Sequence, residues 1–131
     1  MALKAIIIDA EIASIQELAR ALATISDVVL AGSFLNVQAA IAAAVRIQAD
    51  VVFWNICMPG MAGIQICSRL QAGCPDTQII FISAYKQFAL EAFEIGASDY
   101  LLKPISLKRL RKALVRVRLG AGSVSETEGN L

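Results

Sequence analysis

The sequence predicts an α/β fold, a doubly wound parallel sheet of five strands, and two features of the apolar residues predict it. Short apolar runs alternate along the chain with segments in which apolar residues recur every three or four positions. Most of the short runs are apolar at consecutive positions, which is typical of parallel strands buried on both faces. A repeated strand–helix order of this kind implies a parallel sheet with right-handed crossovers.

The apolar runs place the five strands at residues 5–8, 28–31, 51–53, 79–82 and 100–102. Helical spacing is clearest in two segments, after the first strand and after the last, at Ile12, Ile15, Leu18, Leu22 and Ile25 and at Leu107, Leu110, Leu114 and Val117. Asn36 and Ser106 are suitable N-caps for two of the helices. The periodicity stops near Gly120, so we expect one domain over residues 1–119 and a flexible tail or the start of a linker over 120–131.

The length and composition are those of one ordinary domain with a substantial core. The chain has 131 residues, of which 57% are hydrophobic, above the range of about 45–50% that is usual for soluble domains. Residues 28–45 and 51–68 carry no charge, yet glycine, proline and amide residues within them favour a strand, a loop and a helix over a membrane span. No signal peptide is recognisable. We therefore expect a cytoplasmic protein without a membrane partner.

The charged and reactive residues exclude several classes of function. The net charge of +1 gives no electrostatic reason to expect nucleic-acid binding by this domain. The chain has no histidine, which excludes Ser-His-Asp and Cys-His catalysis, histidine-ligated metals and phosphohistidine. Cys57, Cys67 and Cys74 form no CxxC pair, so we interpret them as small buried hydrophobes. We expect no enzymatic activity.

Polar residues stand where the apolar runs stop. Asp9 and Glu11 follow the first strand, Asn55 ends the third, Ser83 ends the fourth and Lys103 follows the fifth. In an open α/β sheet the ligand site lies outside the carboxyl ends of the strands, at the point where the strand order reverses. With the order 2-1-3-4-5, strands one and three are neighbours there. Asp9, Asn55 and Lys103 are therefore expected to converge on one pocket.

Four segments carry a resemblance to a known family: IIIDAE at 6–11, DVVFWNICMPGMAG at 50–63, IIFISAY at 79–85 and GASDYLLKPIS at 96–106. Over nearly all of residues 3–118 the chain resembles the receiver domains of two-component response regulators. The last two segments, with FALEAFEI between them, are most similar to receivers that precede LytTR-type DNA-binding domains. The resemblance implies the flavodoxin-like receiver fold with strand order 2-1-3-4-5, and a protein partner or C-terminal output domain outside this chain.

The resemblance also implies a role for each strand-end position. In working receivers an acidic pair and an aspartate ending strand three hold Mg²⁺, and that aspartate accepts the phosphoryl group. A hydroxyl and a lysine contact the phosphoryl oxygens, which offsets their charge. By position, Asp9 matches the first acid, Ser83 the hydroxyl, Lys103 the lysine and Tyr100 the aromatic switch residue. The bond between Lys103 and Pro104 matches a dipeptide that is often cis in the family.

The departures from the family pattern predict a degenerate phosphoacceptor site. Asn55 occupies the phosphoacceptor position, and a neutral amide has no anionic oxygen with which to attack phosphorus. Ala10 replaces the second acid, and a methyl group cannot coordinate Mg²⁺. Ala62 stands where an acidic or amide residue often lies. With Asp9 as the remnant of the metal site, we expect Mg²⁺ binding to be weak or absent. Instead of an ion, we expect direct hydrogen bonds from Lys103 to Asp9 and Asn55, with Glu11 at the rim.

The leading hypothesis is a pseudo-receiver that regulates an output domain or a partner by protein–protein contact. Residual or unconventional phosphotransfer and small-molecule sensing at the strand-end pocket are the alternatives. A homodimer through the fourth helix, fifth strand and fifth helix is also possible on the sequence. Its apolar contacts would come from Phe88, Ala89 and Ala92. Its charge pairs would join Lys108, Arg109, Arg111 and Lys112 to Glu91, Glu94 or Asp99 of a second copy.

Overall fold

The computed structural model describes residues 2–55 and 61–129. Its five strands are β1 (Leu3–Ile8), β2 (Val28–Phe34), β3 (Val51–Asn55), β4 (Gln78–Ser83) and β5 (Asp99–Leu102). Its helices are α1 (Ile12–Ala23), α2 (Val37–Ile47), α3 (Met61–Gly73), α4 (Ala89–Glu94) and α5 (Leu107–Gly129), with a 3₁₀ turn at Lys86–Phe88. All strand pairs are parallel and their order is β2-β1-β3-β4-β5. The predicted fold class and strand order are confirmed.

Several strands are longer than the apolar runs predict. β2 was predicted to end at Ala31, but Gly32 and Ser33 continue the ladder by pairing with Ile6 and Ile7. Strand pairing uses backbone N–H and C=O groups, so a small or polar side chain does not end it. The apolar run of β2 is itself partly exposed, with Val29 at 50% and Leu30 at 37%, because β2 lies at the edge of the sheet.

The core lies in two layers, one on each face of the sheet. The face that carries Ile6 and Trp54 packs against α2, α3 and α4, and the face that carries Ile7 and Phe53 packs against α1 and α5. Successive strand residues point to opposite faces. Trp54 is therefore buried on one face, with its ring centroid 6.1 Å from that of Phe81, while the next residue, Asn55, ends the strand at the predicted pocket.

Both predicted N-caps are confirmed. The Asn36 side-chain oxygen accepts a hydrogen bond from the Ala39 N–H at 3.0 Å, and the Ser106 hydroxyl accepts one from the Arg109 N–H at 3.1 Å. Each bond satisfies an N–H that the first turn of a helix leaves without an intrahelical partner. These caps set where α2 and α5 begin, and the second lies three residues after the strand-end residue Lys103.

The helix α5 extends past the point where the apolar periodicity stops. The helix is interrupted at Gly120, whose φ of 83° lies in the left-handed region that favours glycine. Helical backbone continues on the far side to Gly129. Apolar periodicity reports which face of a helix is buried, so it cannot detect a helical segment without an apolar stripe. That residues 120–131 begin a linker stays a prediction.

The cysteines within the described residues are buried. Cys67 and Cys74 are 0% and 2% exposed and form no disulfide. Burial raises the pKa of the Cys67 thiol to about 12, so this thiol stays protonated and inert. Their interpretation as buried hydrophobes is confirmed, whereas Cys57 lies outside the described residues. Over that same part of the chain, no helix is both long and apolar enough to cross a bilayer.

A buried ion pair joins β5 to α5. Asp99 is 1% exposed, and its two carboxylate oxygens accept hydrogen bonds from the Arg109 guanidinium at 2.6 and 2.9 Å. The hydrogen bond to Asp99 raises the pKa of Arg109 above its ordinary value. Arg116 lies 3.8 Å from the same carboxylate. The expectation that Asp99 and Arg109 pair with a second copy is therefore wrong: both are engaged within one chain, because β5 buries the carboxylate beneath α5.

Replacing Asp99 by alanine should lower the free energy of unfolding by about 1–3 kcal/mol. The substitution removes the partner of Arg109, but the Arg109 side chain is 39% exposed and water can solvate it. Asp27→Ala is the control, because Asp27 pairs with Arg118 at 2.6 Å on the surface and such pairs contribute only about 0–1 kcal/mol. Urea unfolding measures both. Equal decreases in the free energy of unfolding for the two variants would contradict the role assigned to Asp99.

Candidate functional site

The register of β1 and β3 brings two of the predicted site residues side by side. Ile8 pairs with Trp54 in this register, so the next residues, Asp9 and Asn55, lie side by side at the carboxyl edge of the sheet. The Asp9 N–H donates to the Phe34 carbonyl at 3.0 Å, which holds the residue at the end of the neighbouring strand β2. Asp9 and Asn55 are only 4% and 8% exposed. The strand ends thus place a carboxyl and an amide in contact, shielded from water.

The contact between them is a hydrogen bond with a defined direction. Asn55 Nδ2 donates to Asp9 Oδ2 at 2.6 Å, and the Glu11 N–H donates to Asp9 Oδ1 at 2.9 Å. Hydrogen bonds to an ionised acceptor are shorter and stronger than those between neutral groups. Glu11 contributes its backbone here, and its side chain is exposed, as is Ala10. The buried carboxylate therefore has a donor at each oxygen.

Lys103 lies at the same site but bonds to a residue that the sequence analysis missed. Its ammonium donates to the Ser14 hydroxyl of α1 at 3.3 Å, and Lys103, Asp9 and Asn55 line one cavity. The predicted convergence is observed. The predicted hydrogen bonds from Lys103 to Asp9 and Asn55 are replaced by Asn55–Asp9 and Lys103–Ser14 bonds, because the Asn55 amide N–H already faces Asp9. The Lys103–Pro104 peptide bond is cis.

Ser14 carried little that could have identified it in the sequence. It stands next to the apolar position Ile15 in α1 and does not follow any predicted strand. Only the packing of α1 beside the end of β5 brings its hydroxyl to Lys103. A serine in the first turns of a helix usually faces solvent, so the sequence alone does not indicate this contact.

Ser83 and Tyr100 meet at the backbone of Tyr85, beside the site. The Ser83 hydroxyl, in a residue that is 0% exposed, accepts from the Tyr85 N–H at 2.9 Å. The Tyr100 hydroxyl donates to the Tyr85 carbonyl, and the Tyr100 ring is buried in the core. The Lys103 N–H donates to the Ser83 carbonyl at 2.9 Å. The ends of β4 and β5 are thereby tied to each other.

The cavity at the site has a volume of about 360 Å³. At one end it is bounded by Asp9, Asn55 and Lys103, and it continues between α1 and the start of α5 along residues such as Leu18 and Leu110. Its walls are thus polar at the strand ends and apolar toward the core. Ala62 is one of the positions that depart from the family pattern, but its side chain and residues 56–60 lie outside the described residues.

Comparisons with known proteins agree with this geometry. The family model of the response regulator receiver domain matches residues 5–115. An uncharacterized response regulatory protein of Vibrio cholerae is 38% identical over 117 residues, which cover 88% of this chain and 48% of that protein. The transcriptional regulatory protein BtsR of Salmonella typhi is 37% identical over 118 residues, again 88% of this chain and 48% of the relative. The chain spans about half the length of these curated relatives.

One solved structure also supports the family, and a second matches in fold. The response regulatory domain of mrkE from Klebsiella pneumoniae is 30% identical, with a TM-score of 0.76 over 88% of this chain and 95% of that one. The receiver domain of the putative response regulator NarL from Mycobacterium tuberculosis, at 24% identity and a TM-score of 0.76 over 87% and 94% of the two chains, matches in fold. This chain therefore belongs to the response regulator receiver family and is a receiver domain of the two-component type.

Proposed function

We propose that this receiver is a pseudo-receiver, which regulates an output domain or partner protein by contact and without conventional aspartyl phosphorylation. One observation carries the proposal. At the phosphoacceptor position Asn55 presents a neutral amide, and its N–H is bonded to Asp9 at 2.6 Å. Phosphoryl transfer to a side chain requires a nucleophilic oxygen, which this amide lacks. The domain is then a binding module and not an enzyme.

The residues present do not fit the Mg²⁺ that working receivers hold. Mg²⁺ requires oxygen ligands in octahedral geometry and usually one or two carboxylates from the protein. Ala10 supplies no ligand, Asn55 turns its amide nitrogen toward Asp9, and both Asp9 oxygens already accept hydrogen bonds. Within the described residues no three His, Cys, Asp or Glu side chains cluster as a metal site would. These arrangements support a site that functions without the ion.

The regulated partner is expected beyond this domain. Because the chain spans about half the length of relatives that include a transcriptional regulatory protein, we propose that it works with a C-terminal output domain. The resemblance of residues 79–106 favours a LytTR-type DNA-binding output. Contacts with DNA would then belong to that output domain, since this domain carries a net charge of only +1.

A homodimer through α4, β5 and α5 remains part of the proposal, with different contact residues. Ala92, predicted to offer apolar area, is 0% exposed, whereas Leu90 and Phe93 of the same helix are 71% and 44% exposed. Across the face, Arg111 and Lys112 are exposed on α5. Exposed charge pairs contribute only about 0–1 kcal/mol each, so apolar contacts would carry affinity and the charges would set the register.

Asn55→Asp tests the amide contact. Two carboxylates in contact repel each other, which raises the pKa of one of them above its unfolded value. The loss of stability is therefore largest at pH values above the raised pKa, where both carboxyls are ionised. At about pH 7 the free energy of unfolding of the variant should be roughly 1–3 kcal/mol lower than that of wild type, and the difference should shrink at about pH 4.5. Asn36→Asp is the matched control, because aspartate also caps a helix. Urea unfolding at both pH values measures these differences. The same difference between Asn55→Asp and wild type at the two pH values would contradict the contact.

Incubation with acetyl phosphate and Mg²⁺, followed by intact mass, tests the phosphotransfer claim. Wild type and Asn55→Asp alone should remain unmodified, because each lacks a carboxylate that the reaction needs. The double variant Ala10→Asp with Asn55→Asp restores both and is expected to gain the mass of one phosphoryl group. A stable adduct on the wild-type chain would establish residual phosphotransfer in place of the proposed function.

Sedimentation velocity at micromolar concentration tests the dimer. We expect a dimer whose dissociation constant rises several-fold in Arg111→Glu, because reversing this charge disturbs the register of the contact. Arg46→Glu, an exposed change of the same kind on α2, should behave as wild type. A wild-type monomer, or equal effects of the two substitutions, would count against this face.

A further inference from the structure

The cavity beside the strand ends has the size and lining of a small-molecule site. Its volume of about 360 Å³ falls within the range of about 300–1,000 Å³ that is usual for ligand pockets. Leu18, Phe53, Ile82 and Leu110 are among its apolar walls. On α1 the lining residue Ala21 has a side chain of one methyl group, which leaves room between α1 and α5. A molecule in this space would contact both helices and three strands of the sheet.

The polar end of the cavity offers a hydrogen-bond donor. Among the described residues Ser14 is the one hydrogen-bond partner of the Lys103 ammonium, and its distance of 3.3 Å is long for such a bond. An ammonium group carries three N–H donors, so Lys103 can donate to a further acceptor inside the cavity. Asp9, by contrast, already accepts hydrogen bonds from Asn55 and Glu11.

The charges around the cavity favour a neutral ligand. Two carboxylates, those of Asp9 and Glu17, and one ammonium, that of Lys103, belong to residues lining it. This excess of negative charge disfavours an anion, and the apolar walls and Lys103 disfavour a buried cation. A molecule with an apolar body and one accepting oxygen matches both ends of the cavity without introducing a charge.

We propose that this cavity binds a small, uncharged and mainly apolar molecule, whose carbonyl oxygen accepts a hydrogen bond from Lys103. The inference rests on the proposed function, because it supplies an input in place of the phosphoryl group. Binding would bridge α1 and α5, and α5 also forms part of the proposed output surface. The ligand would thus act on the domain from the same pocket that phosphorylation uses in other receivers.

Acetophenone is a suitable probe, since it joins an apolar ring to one carbonyl group. In a ¹H–¹⁵N NMR titration we expect saturable shifts at the amides of Leu18, Ala21 and Leu110, with a dissociation constant on the order of 1 mM for a ligand of this size. Ala21→Leu fills the cavity and should weaken binding at least about tenfold. Ala23→Leu, the same change at an exposed position of α1, should bind as wild type does. If Ala21→Leu does not fold, Ala21→Val takes its place as the variant that fills the cavity.

Lys103→Met tests the polar end with a pair of probes. Acetophenone should bind several-fold more weakly to this variant, whereas ethylbenzene, which lacks the oxygen, should bind wild type and variant equally. Three outcomes would each overturn the proposal. The first is the absence of saturable shifts in wild type, and the second is equal binding by Ala21→Leu and Ala23→Leu. The third is an equal loss of affinity for both probes in Lys103→Met. If acetophenone fails to bind and acetyl phosphate still leaves no adduct, this inference falls while the proposed function stands. If acetyl phosphate does leave an adduct and acetophenone still binds in the cavity, the proposed function falls while this inference stands.

Discussion

The hydrogen bond from Asn55 to Asp9 is the interaction on which the strand-end site depends. A carboxylate that is 4% exposed is costly unless donors or an opposite charge compensate for lost water. Asn55 and the Glu11 backbone supply two donors, at 2.6 and 2.9 Å. A carboxylate in place of the amide would add a like charge and create a need for a cation. We propose that the neutral amide removes that need, and that this local balance of charge is the physical basis of a phosphorylation-independent state.

Further contacts tie the other strand ends together. Ser83 and Tyr100 both bond to the backbone of Tyr85, and Lys103 bonds to Ser14 of α1. On the neighbouring face, the Asp99–Arg109 pair fixes β5 to α5. The surface proposed for output is therefore held by interactions within the chain. This supports a surface that is competent to bind a partner at all times, or one that responds to a ligand between α1 and α5.

The fold class was predictable from local patterns of the sequence, and the resemblance to receiver domains implied the strand order that brings Asp9, Asn55 and Lys103 to one cavity. Consecutive apolar residues mark buried parallel strands, and polar residues at their ends mark the edge where ligands bind. The partners within the site were not predictable. Whether Lys103 bonds to Asn55 or to Ser14 depends on how α1 packs beside β5, and the burial of Asp99 depends on α5 lying over it. The cavity likewise arises from small residues of one helix facing another, which no single segment reveals.

A double-mutant cycle between Asp9 and Asn55 tests the central claim most directly. The free energies of unfolding of wild type, Asp9→Ala, Asn55→Ala and the double variant would be measured by urea unfolding in the absence and presence of Mg²⁺. We expect a favourable coupling of about 1.5–3 kcal/mol, typical of a hydrogen bond to a charged group, and the same value with the ion present. Additive effects of the two substitutions, or a coupling that changes when Mg²⁺ is added, would contradict the account.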